Sequence, residues 1–184
     1  MKAVIIYSSE TGFTQKYADW ISEKTGIASI KISHDINPVL AAADLIIFGS
    51  PIYGGELLEK KNLFRLIQNK QEKKLICFST GLQPWSPRMQ EKVRKRILGE
   101  KYPEISFYYF PGGLDKERLR PSRKTELFLY RMMMNRHPER GETEKAFLER
   151  TERSGDFLDE ALLIPLLEEV EAYKNGVKNG GNLP

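Results

Sequence analysis

The sequence predicts an α/β chain built as a doubly wound, five-stranded parallel sheet. Three observations carry this. Apolar runs of strand length alternate with segments of helical period through the first 111 residues. The strand runs are continuously apolar rather than alternating, as in strands covered on both faces. The connections are too short for a separate sheet, which argues βαβ units with helices on both faces.

Ala3-Val4-Ile5-Ile6-Tyr7 forms the first strand. A helix follows over residues 13–24, with Phe13, Tyr17, Trp20 and Ile21 on one face, Lys24 in the last turn and Gly26 as its stop. Residues 29–32 alternate as a short second strand. Residues 35–44, with Asn37-Pro38 opening an alanine-rich turn, form a short helical connection. The third strand is Leu45-Ile46-Ile47-Phe48, ending at Gly49. The helix over residues 58–69 turns Leu63, Phe64 and Ile67 inward. Leu75-Ile76-Cys77-Phe78 is the fourth strand, in which Cys77 reads as a core residue. Ser86 is an N-cap and Pro87 takes the favoured first helical position. They open a helix with Met89, Val93 and Ile97 at i, i+4 and i+8. Residues 105–110 are the fifth strand, ended by Pro111-Gly112-Gly113.

Five units of roughly 30 residues account for about 150, so about 35 of the 184 residues are surplus. The surplus lies at about 114–155, a charged helical insertion without strand pattern. A closing helix then runs from Asp159, a candidate N-cap, to about residue 174. Leu163, Leu166, Leu167, Val170 and Tyr173 line it, and Gly176 is its expected stop. Residues 1–175 thus read as one domain carrying one insertion, and 176–184 as a frayed tail.

Composition excludes several classes. With 40% hydrophobic and 29% charged residues there is enough apolar material for a core, so disorder and collagen-like repeats are out. No apolar run approaches the roughly 20 residues of a bilayer-spanning helix. The N-terminus opens on a strand pattern instead of a signal peptide's apolar stretch and cleavage site. A lone cysteine, Cys77, makes neither an intramolecular disulfide nor a multi-cysteine metal site. A cytoplasmic location is the expectation. His34 and His137 have no ligand-like spacing to other candidate ligands, so no metal is expected. The net charge of +4 does not by itself call for nucleic acid, and none is expected as a partner.

In a doubly wound sheet ligands bind beyond the carboxyl ends of the strands, and three of those ends are unusual here. After the first strand stands Tyr7-Ser8-Ser9-Glu10-Thr11-Gly12-Phe13-Thr14. Hydroxyls, a glycine and the free N–H groups of a helix start converge there. Such a loop cradles an anion: backbone donors and the positive end of the helix dipole face a phosphate, and Ser9, Thr11 and Thr14 add O–H donors. The loop holds no lysine or arginine, so dipoles rather than a point charge are expected to bind the phosphate. It lacks both the Gly-Lys-Ser/Thr ending of a P-loop and a GxGxxG pattern, which argues against ATPase and nicotinamide chemistry. After the third strand come Gly49-Ser50-Pro51-Ile52-Tyr53-Gly54-Gly55. Tyr53 offers a stacking plane, and the glycines allow close backbone approach. After the fourth strand come Ser79-Thr80-Gly81-Leu82-Gln83-Pro84-Trp85.

Ser9-Glu10-Thr11-Gly12-Phe13-Thr14 resembles the Ser/Thr-x-Thr-Gly-x-Thr signature of the flavodoxin family, whose loop wraps the phosphate of FMN. The resemblance implies a sheet of order 2-1-3-4-5. It also implies FMN held non-covalently by residues 9–14, through the hydroxyls of Ser9, Thr11 and Thr14 and the N–H groups of Thr11 to Thr14. Phe13 departs from the polar residue many members carry and would serve through its backbone. The resemblance further implies that Ser50, Pro51, Ile52, Tyr53, Gly54 and Gly55 cover one face of the flavin ring. The Tyr53–Gly54 or Gly54–Gly55 peptide would bond its N5. Thr80, Gly81 and Leu82 would line the pyrimidine edge, where the family's usual acidic residue is missing. Trp85 either packs on the ring or covers the sheet end. A receiver domain shares the strand order but needs an aspartate where this third strand ends in Gly49-Ser50.

From Lys116 to Arg140 eight basic residues stand against three acidic, a net +5 that exceeds the charge of the whole chain. The middle, Leu127-Phe128-Leu129-Tyr130-Arg131-Met132-Met133-Met134, is apolar on most faces. Such a segment suits a membrane surface or an apolar acidic ligand, or else packs on the domain with its arginines in water. Gly113-Leu114-Asp115, the basic stretch, the Met-containing helix and Gly141-Glu142-Thr143 resemble the flavodoxin-like branch of menaquinone-linked protoporphyrinogen dehydrogenases. No catalytic residue is carried over from that branch.

The functional expectation is an FMN-binding redox protein that passes electrons to or from a redox partner protein. One alternative is an FMN-dependent dehydrogenase of a protoporphyrinogen-type hydrogen donor linked to a quinone. Another is a flavin-free module that grips a membrane or nucleic acid through the insertion. Peripheral contact with the inner face of the membrane would run through the 116–140 segment.

Overall fold

In the computed structural model residues 1–32, 37–69, 73–136 and 141–180 are described. His34, His137, Arg140 and the start of the expected 35–44 connection lie outside them. Five parallel strands form the sheet: β1 (Ala3–Tyr7), β2 (Ser29–Lys31), β3 (Leu45–Tyr53), β5 (Lys74–Gly81) and β6 (Ser106–Pro111). Their spatial order is β2-β1-β3-β5-β6, with a short β4 (Glu56–Leu57) folded back on β3. Counting the long strands alone, this is the expected 2-1-3-4-5.

β1 and the middles of β3 and β5 are continuously apolar because alternate residues feed two cores. On one face Val4, Ile6, Phe48, Cys77 and Phe107 pack under α3 (Lys60–Asn69) and α4 (Pro87–Leu98), which contribute Leu63, Ile67, Ile97 and Leu98. On the other, Ile5, Ile47, Ile76, Phe78 and Phe110 meet α1 (Phe13–Thr25) and α7 (Ile164–Gly180) through Tyr17, Ile21, Leu166 and Val170. Between β2 and β3 lies α2 (Asn37–Ala42). Three local signals act as expected. Gly26 closes α1 in the left-handed conformation at φ 70°. The Ser86 side chain accepts the Met89 N–H at 3.1 Å. Asp159 caps a 3₁₀ turn, Glu160–Leu163, that leads into α7.

Four boundaries differ from the sequence reading. β3 continues past Gly49 to Tyr53, since Ser50 and Pro51 stay in register with Ser79 and Thr80 of an equally extended β5. The next two residues pair antiparallel with β4, around a turn in which Gly54 and Gly55 both have positive φ, 55° and 81°. That hairpin delays α3 from 58 to Lys60. α7 runs through Gly176 to Gly180 instead of stopping, because Gly176 does not adopt the positive φ of a helix-ending turn. The insertion has strands after all: β7 (Gly113–Leu114) and β8 (Gly155–Asp156) pair antiparallel at its neck. Two-residue strands carry no periodicity to read. Between them stand α5 (Pro121–Asn135) and α6 (Glu142–Glu152), joined by an edge-on contact of Tyr130 with Phe147, 5.1 Å between centroids.

Candidate functional site

The ends of β1, β3 and β5 open on the same edge of the sheet, and the insertion leaves β6 at that edge. The loop after β1 is shaped by its own side chains. The Gly12 N–H donates to Ser9 Oγ at 3.0 Å, and Gly12 turns into the helix at φ 96°, which a side chain would strain. The Lys16 N–H is the one that reaches back to the Gly12 carbonyl. The N–H groups of Phe13, Thr14 and Gln15 therefore have no carbonyl behind them in the helix. Thr14 is buried and its hydroxyl shares a 2.7 Å bond with that of Thr80, tying the first loop to the third. One hydrogen bond between two hydroxyls leaves one O–H proton to spare.

Tyr53 closes the second side. Burial pushes its phenol above the ordinary range and the charge of Glu10 adds to this, while Thr11, Arg123 and Arg120 pull it back. The Arg123 guanidinium lies over the Tyr53 ring at 4.5 Å and is itself paired with Glu126 at 2.7 Å. On the third side the Tyr109 hydroxyl donates to the Gln83 carbonyl at 2.9 Å, and Arg150 donates to the Leu82 carbonyl at 3.2 Å. Both bonds hold the loop after β5 from behind.

These walls enclose a cleft of about 240 Å³. Of the residues singled out from the sequence, Ser9, Glu10, Thr11, Phe13, Thr14, Pro51, Ile52, Tyr53, Gly54, Gly55, Thr80, Gly81 and Leu82 line it. Three do not. Gly12 shapes the loop from outside. Ser50 is fully buried and accepts the Glu59 N–H at 3.1 Å, so it supports the approach to α3. Trp85 is 39% exposed and does not line the cleft.

The sequence reading missed the roof. Leu119, Arg123, Glu126, Leu127 and Tyr130, with Phe147 of α6, cover the cleft from the insertion, and Lys92 and Arg96 of α4 edge it. The loop itself holds no cation, but cations reach it from the insertion. Arg120 and Arg123 approach Glu10 at 3.6 and 3.9 Å, and Arg118 comes up beside Gly12. The signal that could have found them is topological: whatever is inserted after the last strand hangs over the loops at that sheet edge.

The donor set suits a phosphorylated aromatic ligand. Helix N–H groups and spare hydroxyls gather at one end, and Tyr53, Leu82, Leu127 and Tyr130 supply apolar walls at the other. A model of the flavodoxin domain matches residues 4–145. The chain belongs to the flavodoxin family. Among solved structures, it is similar to a putative flavoprotein from Bacteroides uniformis at 19% identity, over 70% of this chain and 97% of that one, with a TM-score of 0.44. Flavodoxin 2 from Bacillus cereus aligns at 20% identity over 81% and 94%, TM-score 0.41. A flavoprotein in complex with FMN from Lactobacillus acidophilus aligns at 17% over 60% and 92%, TM-score 0.40. No curated protein matches. The flavodoxin match ends within α6, so most of the insertion falls inside it and α7 outside.

Proposed function

We propose that this flavodoxin-family chain binds FMN non-covalently and works as an electron-transfer protein. The observation that carries the reading is the loop 9–14. A left-handed glycine and a helix start present unpaired donors at the floor of a cleft whose upper walls are apolar. Bound there, FMN supplies the redox chemistry, and the chain's residues supply position and exclusion of water. The N–H groups of Phe13 and Thr14 and the hydroxyls of Ser9 and Thr11 would hold the phosphate. Tyr53, Leu82 and the Gly54–Gly55 turn would bracket the ring. The deciding experiment is the absorption spectrum of freshly purified protein, followed by titration of the apoprotein with FMN. A flavin spectrum or saturable binding supports the reading, and no binding at all refutes it.

A second reading is favoured by the roof. Leu127, Tyr130 and Phe147 extend the apolar wall beyond the flavodoxin loops, and Lys92 and Arg96 edge it. That enclosure suits a bulky hydrogen donor with acidic groups, such as protoporphyrinogen, oxidised at the expense of a quinone. Anaerobic turnover of protoporphyrinogen with a quinone acceptor separates such an enzyme from a carrier.

The outer face of α5 bears on partners. The helix points Arg123 and Glu126 at the cleft and leaves Phe128, Leu129, Met132 and Met133 between 40% and 63% exposed. With Lys124 and Arg136 also in solvent, this face complements an anionic lipid surface. Co-sedimentation with vesicles containing phosphatidylglycerol, but not with phosphatidylcholine alone, is the expected result. Replacing Phe128 and Met132 with serine should abolish it.

A further inference from the structure

The insertion carries the cations that the first loop lacks, and it delivers them to that loop. Arg120 Nε stands 3.6 Å from one oxygen of Glu10 and Arg123 Nε 3.9 Å from the other. Arg118 Nη1 lies 3.8 Å from the point where a Gly12 side chain would begin. Three arginines from positions 118, 120 and 123 thus converge on residues 10–12, beside the unpaired N–H groups of α1.

The anion they meet is poorly satisfied. Oε2 of Glu10 is buried and accepts no hydrogen bond, and neither arginine contact is short enough to be one. A buried carboxylate oxygen in that state is costly compared with one that is bonded or hydrated. Arg118 and Arg120, meanwhile, keep 70% and 72% of their side chains open. Arg123 is committed elsewhere, to Glu126 and to the Tyr53 ring. Arg118 also has Asp115 at 3.4 Å, through Nε rather than its Nη atoms. The contact between loop and insertion is therefore a long ion pair in which Glu10 holds the place of a better anion.

We propose that the insertion is a phosphate-selective clasp. Without ligand, Glu10 faces Arg120 and Asp115 faces Arg118. A phosphate monoester seated at the start of α1 draws Arg120 from Glu10 and Arg118 from Asp115, since its oxygens accept charge-assisted bonds at distances that the Glu10 carboxylate does not reach. This rests on the FMN reading and adds to it what separates FMN from riboflavin, which has the same ring and no phosphate. Helix dipoles alone orient the phosphate, but the arginines make its charge count, and Glu10 opposes any dianion that arrives without them.

The test is parallel titration of FMN and riboflavin into the wild-type chain, Arg118→Ala/Arg120→Ala and Glu10→Gln. Both arginines are surface residues, so the double variant should fold, and its far-UV spectrum and melting curve check that it has. Loss of the two arginines is expected to weaken FMN about tenfold, through lost charge-assisted bonds at a partly screened site. Riboflavin should stay within about twofold and the salt dependence of FMN binding should flatten. Glu10→Gln, which removes the competing anion, is expected to tighten FMN and leave riboflavin unchanged. An equal fall for both flavins in the arginine variant would make the arginines merely structural and overturn the clasp. So would unchanged FMN binding there, or weaker FMN binding in Glu10→Gln. Wild-type protein that takes up both flavins equally overturns the clasp and the phosphate role of loop 9–14, and leaves flavin binding itself standing. Wild-type protein that takes up neither overturns the FMN reading beneath it.

Discussion

Tyr17 shows how much one side chain integrates. Its hydroxyl donates to the Pro111 carbonyl at 2.8 Å and accepts the Asp159 N–H at 2.9 Å, joining α1, the end of β6 and the approach to α7. Its ring stacks on Phe110 at 4.9 Å. Burial is the main reason its phenol is pushed far above the ordinary range. Tyr17→Phe keeps the ring and removes both bonds, leaving the Pro111 carbonyl and the Asp159 N–H without this partner. A loss of about 1–3 kcal/mol in a urea titration is expected, with no change in the slope. Gly55→Ala meets a different obstacle, a positive φ with the Arg96 guanidinium 2.5 Å from the new methyl. The arginine can swing away, so the backbone conformation sets a cost of about 1–2 kcal/mol. Flavin affinity should fall with it, since the turn lines the cleft. At this scale the sequence was legible where a residue acts on its own backbone, as Ser86, Gly26 and Asp159 do. It was not legible for Thr14, whose hydroxyl is claimed by Thr80 from 66 positions away, or for Trp85, which does not line the cleft.

At the scale of elements, α7 is held to the sheet through Glu169. Its carboxylate accepts from Lys74 at 2.7 Å, from Tyr108 at 2.8 Å and from Ser106. Burial pushes this carboxyl up, but the bonds from Lys74, Ser106 and Tyr108 outweigh it and hold the group below the ordinary carboxylate range. A carboxyl depressed in the folded state stabilises above its unfolded pKa, and that contribution is lost as pH falls through the folded value. Stability should therefore decline on acidification below the usual carboxylate pKa, and Glu169→Gln should flatten that part of the profile. Chemical denaturation of both proteins from pH 7 down to about pH 3 reads it out. The five long strands and the helices packed on the sheet were legible in the sequence, because burial on one or two faces imprints its period; α6 of the insertion was not singled out. The sequence hid the ends. β3 and β5 extend each other by pairing, and pairing leaves no mark on composition once the residues are Ser, Pro, Thr and Gly. The β7–β8 neck was hidden for the same reason.

For the whole molecule, the ligand site is a product of assembly. FMN at a hundredfold excess over its Kd should add about 2.7 kcal/mol to stability, a rise in Tm of roughly 5–10 °C for a chain of this size. A thermal-shift titration measures it. On the clasp proposal riboflavin at the same concentration should give a smaller shift. The sequence by itself determined the doubly wound sheet, its two cores and the hydroxyl-rich loop after the first strand. Each of these depends on local periodicity or on residues within one turn of each other. Only the tertiary structure decided what covers that loop. Arg118, Arg120 and Arg123 stand more than a hundred residues from Glu10 along the chain, and as a charge count they look like a solvated surface. Because the strands run parallel, β6 is left at the same edge where β1 ends, and that placement turns a basic stretch into the roof of the site.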